Sequence, residues 1–287
     1  QEIANHYLQI FRQDFKKLNI LEPDIWCKAT DHINEQIELI KILEKKGFTY
    51  RTSDGIYFDT SKYEDYGKLA RLDIEGLKAG ARIEVGEKKN KTDFALWKFS
   101  GEPGIRQQEW DSPWGLGFPG WHIECSAMSM KYLGENFDIH TGGVDHIPVH
   151  HTNEITQSES ATGKKFVNYW LHENFLTLGG EKVSKSKGGL FTISELEEKG
   201  FDPLSYRYLI LNGHYRALIE FSMETLESAQ TSYKRLKNII SELKDDNEVN
   251  EGYLNDFKDA INDDLNTPRA LQVLWKLVRD ENASGKI

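Results

Sequence analysis

Ile3, Tyr7, Ile10, Phe11, Phe15 and Leu18 recur at the three-to-four-residue interval of one helix face and predict an amphipathic helix over residues 1–19, already under way at the first residue. Asp31 to Lys46 repeats the pattern through Ile33, Ile37, Ile40, Ile42 and Leu43 until Gly47 stops it. The period then changes. Thr49 to Asp59 alternates around Ser53-Asp54-Gly55, which predicts a hairpin. After a polar, tyrosine-bearing passage at 62–79 come a short strand at 82–85, a charged loop at 87–91 and a strand around Phe94 to Lys98. Trp97, Trp110 and Trp114 crowd the way into the middle of the chain and fit core packing.

In the middle, Pro119 to Ile123 predicts a buried strand that brings Cys125 to its end and leads into a helix of small and apolar residues (Ser126, Ala127, Met128, Met130). Phe137 to His140 predicts a second strand, and Gly142-Gly143 breaks it. Pro148 suits a first helical turn, where its missing N–H has no partner to lose, so the next helix is expected to start near His150 and run through Ser160. Phe166 to Leu171 predicts a further strand. Strands joined by a helix, with polar residues at the strand ends, predict an α/β fold containing the second half of a doubly wound parallel sheet. Beyond Ile193 the chain reads as helical. Ser194 with Glu197 is the expected capping box, Asp202-Pro203 starts a helix bearing Tyr206, Leu209 and Ile210, Ser222 to Lys244 forms a long one, and a helical pair begins at Tyr253 after a polar linker at 245–251.

With 287 residues, of which 38% are hydrophobic, the chain can bury a core and is expected to hold two or more domains. It has no apolar run near the roughly 20 residues of a membrane span. Two cysteines far apart do not make a disulfide framework and fit a reducing cytoplasm; Cys27, away from other ligand types, is read as structural. The net charge of −10 argues against nonspecific coating of nucleic acid, so any RNA site must be a local basic patch such as Lys234, Arg235 and Lys237, unless these are simply a solvated helix face.

Chemistry concentrates between Gly120 and Glu154. His150 and Glu154 are four apart, which places imidazole and carboxylate one above the other on a helix face. With Cys125 they form a thiolate, imidazole and carboxylate set of the kind that holds zinc in three protein positions and leaves the fourth to substrate. The alternative is a buried small cysteine beside a solvated His/Glu pair. A second signal is Gly179-Gly180-Glu181-Lys182-Val183-Ser184-Lys185-Ser186-Lys187-Gly188-Gly189, a loop able to bring ammonium groups against a polyphosphate, or else an ordinary solvated basic loop.

Taken in order, GWHIECSAM, FDIHTGG, HHTNE, NYWLH and EKVSKSKGG closely resemble the cysteinyl-tRNA synthetase family of class I aminoacyl-tRNA synthetases. KVSKS looks like the class signature KMSKS with valine at 183. AGARIEV, DFALWK and SPWG before these motifs, and LNGHYR and DDLNTPRAL after them, extend the resemblance over nearly the whole chain.

The resemblance implies a cysteine–tRNA ligase that activates L-cysteine with ATP and Mg2+ to cysteinyl adenylate and passes it to the 3′ end of tRNA(Cys), as a cytoplasmic protein, monomeric and without membrane contact. It implies one zinc per chain on Cys125, His150 and Glu154, with Trp121 as a wall of the substrate pocket. His140, Gly142 and Asp145 would meet the adenylate, Asp145 and Lys185 would serve ATP, and Lys182 and Lys185 would steady the transferring phosphates. Zinc suits a thiol substrate, because a hydrophobic pocket alone separates a hydroxyl from its isostere only about a hundredfold. The implied parts are a helix at 1–19 closing the first half of the catalytic domain, a connective insertion at 20–110, the second half with its KVSKS loop at 111–193, a stem-contact region at 194–221 and a tRNA-binding bundle at 222–287. The other phosphate signature of the class, HIGH, is not found; His32-Ile33 is followed by Asn34-Glu35. These residues alone are therefore expected to be inactive. A cysteine ligase of mycothiol synthesis shares the zinc and lysine-loop motifs, and a noncatalytic zinc or RNA-binding module derived from a synthetase is a third reading.

Overall fold

The computed structural model describes residues 2–71, 86–104, 106–179, 181–182 in backbone only, 191–243 and 248–283. The strand expected at 82–85 and most of the lysine loop, Val183 and Lys185 included, lie outside these residues. The chain divides into two compact units. One combines Gln1–Asp24 with Glu173–Ile287, and the other is Ile25–His172. This division follows packing and is separate from the division by role expected above.

Helix α1 (Glu2–Lys17) begins the first unit as its spacing predicts. Its apolar stripe stays largely open, with Ile3, Tyr7 and Phe11 exposed, and only at its end does Leu18 reach the cluster of Ile193, Leu196, Phe221 and Leu226.

The Ile25–His172 unit carries the candidate zinc ligands. Helix α2 (Ile33–Lys45) buries Ile33, Ile37, Ile40 and Leu43 as expected, but Ile42 lies on the outer face and is exposed. It packs on an antiparallel sheet of β1 (Thr49–Arg51), β2 (Gly55–Phe58), β3 (Phe94–Phe99) and β4 (Gly117–Pro119) in that order. Trp97 and Trp114 are buried between them with Phe58, Phe94 and Leu96, and Trp110 packs against the same core.

The strand expected at Pro119–Ile123 is a helix from Trp121 on. Helix α3 (Trp121–Leu133) is entered through Gly120, whose extended backbone is the N-cap, and ends at Gly134 with φ +93°. The reason is close approach: a Cβ at Gly120 would stand 1.9 Å from the Ala95 carbonyl oxygen and one at Gly117 2.1 Å from that of Lys98. Two glycines thus press β4 onto β3, and the chain turns into the helix once Pro119 has paired with Trp97. Cys125 consequently sits in the second turn of α3, not at a strand end.

Strand β5 (Phe137–Gly143) is longer than expected. The helical chain after it begins at Val144, before the His150 start that the proline suggested, as a 3-10 turn (Val144–His146) and a π turn (Ile147–His151) that merge into α4 (Thr152–Thr162). Gly163, at φ +74°, closes α4 in the left-handed region, where glycine is unstrained. Strand β6 (Val167–Glu173) follows and pairs with β5, the Phe137 N–H donating to the Phe166 carbonyl at 3.2 Å where both strands begin. This strand, helix, strand succession is the doubly wound element that the sequence predicts. Cys27, read as structural, is exposed and fills no core position.

The first unit resumes with β7 (Leu176–Leu178) and β8 (Glu181–Lys182), then α5 (Ile193–Glu198), α6 (Pro203–Leu211), β9 (Ile219–Glu220), α7 (Met223–Glu242), α8 (Glu251–Asn262) and α9 (Thr267–Leu277). β7 is the middle strand, antiparallel to β8 and parallel to β9. The capping box of α5 is Thr192 with Glu195, two residues before the expected Ser194 and Glu197; Ser194 instead accepts a hydrogen bond from Lys17. Asp202 and Ser222 cap α6 and α7 as their sequences predict.

Candidate metal and substrate site

Two helices supply the central side chains in i, i+4 pairs, Trp121 with Cys125 on α3, and His150 with Glu154 across the π turn and α4. Small residues let these helices touch. Ser126, fully buried, accepts from Gln157 Nε2 at 2.7 Å and meets Ser158 Oγ at 2.9 Å, and the same Gln157 amide donates to the His122 carbonyl at 2.5 Å. The π turn widens the helix where His150 and His151 enter, and both neighbours are buried.

The expected three come together. One ligand atom each of Cys125, His150 and Glu154 lies within 4.8 Å of the others. His150 Nε2 is 3.0 Å from Glu154 Oε1, and its Nδ1 is 3.0 Å from His122 Nδ1. Trp121 lays its ring 4.3 Å from the His150 ring while remaining 61% exposed, so its outer face is open to a ligand. His140, on β5, places Nε2 3.5 Å from Glu154 Oε2. Gly142 makes room for the cluster, since a Cβ there would meet His151 Cε1 at 2.6 Å and His146 Nδ1 at 2.9 Å. Asp145 is exposed in the turn after β5, its Oδ1 in the space a Gly143 Cβ would take. Lys182 lies in β8 of the other unit, and its side chain, like Lys185 as a whole, is outside the described residues.

Four histidines not singled out from the sequence complete the arrangement: His122, His146, His151 and His172. His151 Nδ1 is 2.7 Å from His172 Nε2, and its ring packs 4.7 Å from Trp170 and 4.9 Å from His140. The His150-His151 doublet was the available signal; His122 and His172 are far away in sequence, and only folding brings them in.

The electrostatics follow from burial. It pushes the Cys125 thiol up to about 12, with the Glu154 and Glu124 charges adding to the rise. It lowers His122 to about 4, helped by His150, and His151 to about 3, where Glu154 opposes the fall while His140, His172 and His146 add to it. Burial raises Glu154 as well, but His140 and His150 prevail and hold it at about 2. The result is a buried carboxylate ringed by imidazoles, and neither of its oxygens receives a well-directed hydrogen bond. Leaving such a group unsatisfied is costly. A divalent cation would satisfy it, and sulfur, imidazole and carboxylate donors together suit zinc. The residues fit that metal.

Residues 1–231 match the family described as tRNA synthetases class I (C) catalytic domain, and residues 256–286 match the DALR domain. The cysteine–tRNA ligase 1 of Burkholderia lata is 55% identical over 278 residues, 96% of this chain and 59% of that protein. The cysteine–tRNA ligase of Treponema denticola is 47% identical over 312 residues, 99% of this chain and 63% of that protein. The chain thus spans about three fifths of the length of the curated relatives it matches. Among solved structures, Mycobacterium tuberculosis methionyl-tRNA synthetase bound by methionyl-adenylate superposes with a TM-score of 0.65 at 14% identity, covering 98% of this chain and 73% of that one, which shows the shared α/β fold. No described helix is long and apolar enough to cross a membrane. The chain belongs to the family of class I (C) tRNA synthetase catalytic domains.

Proposed function

We propose that this chain is the cysteine-selecting part of a cysteine–tRNA ligase, which activates L-cysteine with ATP and Mg2+ to cysteinyl adenylate and transfers the aminoacyl group to the 3′ end of tRNA(Cys). The observation that carries the reading is the convergence of Cys125 and His150 on the buried, poorly hydrogen-bonded carboxylate of Glu154. The relatives named cysteine–tRNA ligase cover 96% and 99% of the chain, its helical C-terminal part included, which favours tRNA as acceptor over a mycothiol-type ligase.

Cys125, His150 and Glu154 would hold one zinc, which when bound supplies thiophilic recognition of the substrate sulfur. The rest is done by protein groups. His122 Nδ1 fixes the His150 ring, and Gln157 fixes the backbone of His122 in turn. Trp121 offers its open face as a wall against the substrate side chain. His140, Gly142 and Asp145 belong to the adenylate, and Lys182 and Lys185 to the phosphates as charge builds on them. Lys234, Arg235 and Lys237, all exposed on α7, suit contact with RNA phosphates. The setting is a cytoplasmic monomer.

The test is ATP–pyrophosphate exchange by the complete gene product. Exchange should depend on cysteine and be far weaker with serine. Equal exchange with the two amino acids, or none with either, overturns the reading.

A further inference from the structure

Glu154 has two oxygens and faces two sets of donors. Oε1 lies 3.0 Å from His150 Nε2 and Oε2 3.5 Å from His140 Nε2, and the ligand atoms of His140, His151 and Glu154 lie within 4.8 Å of one another, as those of Cys125, His150 and Glu154 do. We infer that this second triad is a further divalent-cation position, weaker than the first and sharing the Glu154 carboxylate with it, for an ion of the zinc, cobalt or nickel class.

Three observations carry the inference. First, the His140 Nε2 to Glu154 Oε2 separation is 3.5 Å. That is long for an N–H···O hydrogen bond, about 2.7–3.2 Å. It equals the edge between two donors of a tetrahedral ion, roughly 3.3–3.6 Å for bonds of about 2.0–2.2 Å. Second, Oε2 is fully buried yet has no well-directed hydrogen bond, so the carboxylate is unsatisfied toward His140 as well as toward His150. Third, His151 is oriented as a metal-binding histidine is. Its Nδ1 is tied to His172 Nε2 at 2.7 Å, which leaves Nε2, 4.0 Å from Glu154 Oε1, to turn inward. Imidazole-rich donors without a thiolate define the class of ion. The triad has one shared carboxylate and no thiolate of its own, so it binds after the Cys125 triad and less tightly.

The inference rests on reading Cys125, His150 and Glu154 as the tight site, and cobalt(II) separates the two, because only cobalt bound to sulfur shows a thiolate-to-metal absorption band. The untagged 287-residue chain, stripped of metal, is titrated with cobalt(II) while native mass spectrometry counts the ions. The first equivalent should bring the thiolate band, and a second should add d–d absorption alone. His140→Ala should keep the first step and weaken the second by roughly 10- to 100-fold or more. Cys125→Ser should retain one cobalt with no thiolate band; circular dichroism checks its fold, and if it is unfolded the wild type and His140→Ala decide between them. Saturation at one equivalent in the wild type, or a second step that His140→Ala leaves unchanged, overturns the second position. A missing thiolate band in the wild type would instead overturn the tight site and leave the second triad to be judged by His140→Ala.

Discussion

His150 Nε2 stands 3.0 Å from Glu154 Oε1, one helical turn away, and the other nitrogen of the same ring is taken by His122 from a different helix. The imidazole is therefore fixed through Nδ1 with its Nε2 laid against the carboxylate before any ligand arrives. Such preorganisation lets three side chains from two helices act as one binding group.

Cys125→Ser should abolish tight zinc binding. The intact chain should keep about one zinc through dialysis, and the variant far less, measured by elemental analysis. Because burial, Glu154 and Glu124 push the thiol up to about 12, zinc uptake at neutral pH must expel its proton. Calorimetry in buffers of different ionisation enthalpy should register that release in the wild type and lose it in Cys125→Ser.

The metal-free chain should lose stability on acidification. His122 and His151 fall from 6.5 in the unfolded chain to about 4 and about 3 in the folded one, so the unfolded state binds more protons in between. Their contribution is complete above 6.5 and is lost as pH falls toward 3. Glu154, at about 2 against 4.5, loses its contribution between those values, with the same sign. Urea midpoints of metal-stripped protein should drop between about pH 7 and about pH 4, and a flat profile would contradict burial of these rings as neutral groups.

Gly142→Ala should destabilise the unit by about 1–3 kcal/mol, the usual cost of overpacking. The backbone there is not left-handed, so the effect is steric: the new methyl would lie 2.6 Å from His151 Cε1. Denaturant unfolding gives the cost, and a change below about 0.5 kcal/mol would mean that the rings move aside freely.

Lys185→Ala in the complete enzyme should depress pyrophosphate exchange by about 2–4 kcal/mol in activation free energy, with little effect on cysteine binding. The expectation rests on the likeness of Lys182-Val183-Ser184-Lys185-Ser186 to the class signature. An unchanged exchange rate would remove the lysine from the phosphate site.

Replacing Lys234, Arg235 and Lys237 together by neutral residues should weaken tRNA binding and flatten its dependence on salt, since phosphate contacts release counterions. An identical slope in the triple variant would leave the three as a solvated helix face.

The sequence by itself determined the elements whose signal is local. Periodicity placed α1 and α2, Asp202-Pro203 started α6, and Ser222 capped α7. The i, i+4 spacing of His150 and Glu154 was enough to put them on one face, because a helix converts separation into direction. Motif order added the family, which no single spacing could supply. Other features depended on partners distant in the chain. Trp121 to Ile123 are apolar and could be strand or helix; the close contact of Gly117 and Gly120 with β3 decides for the helix. Ile42 satisfies the helical pattern but faces outward, since the sheet covers only part of α2. His122 and His172 join the site from α3 and β6, from 28 and 21 residues away respectively. Whether a carboxylate is poised for a cation depends on burial and on the direction of every neighbouring donor. Both are properties of packing, and for Glu154 only the tertiary structure decides them.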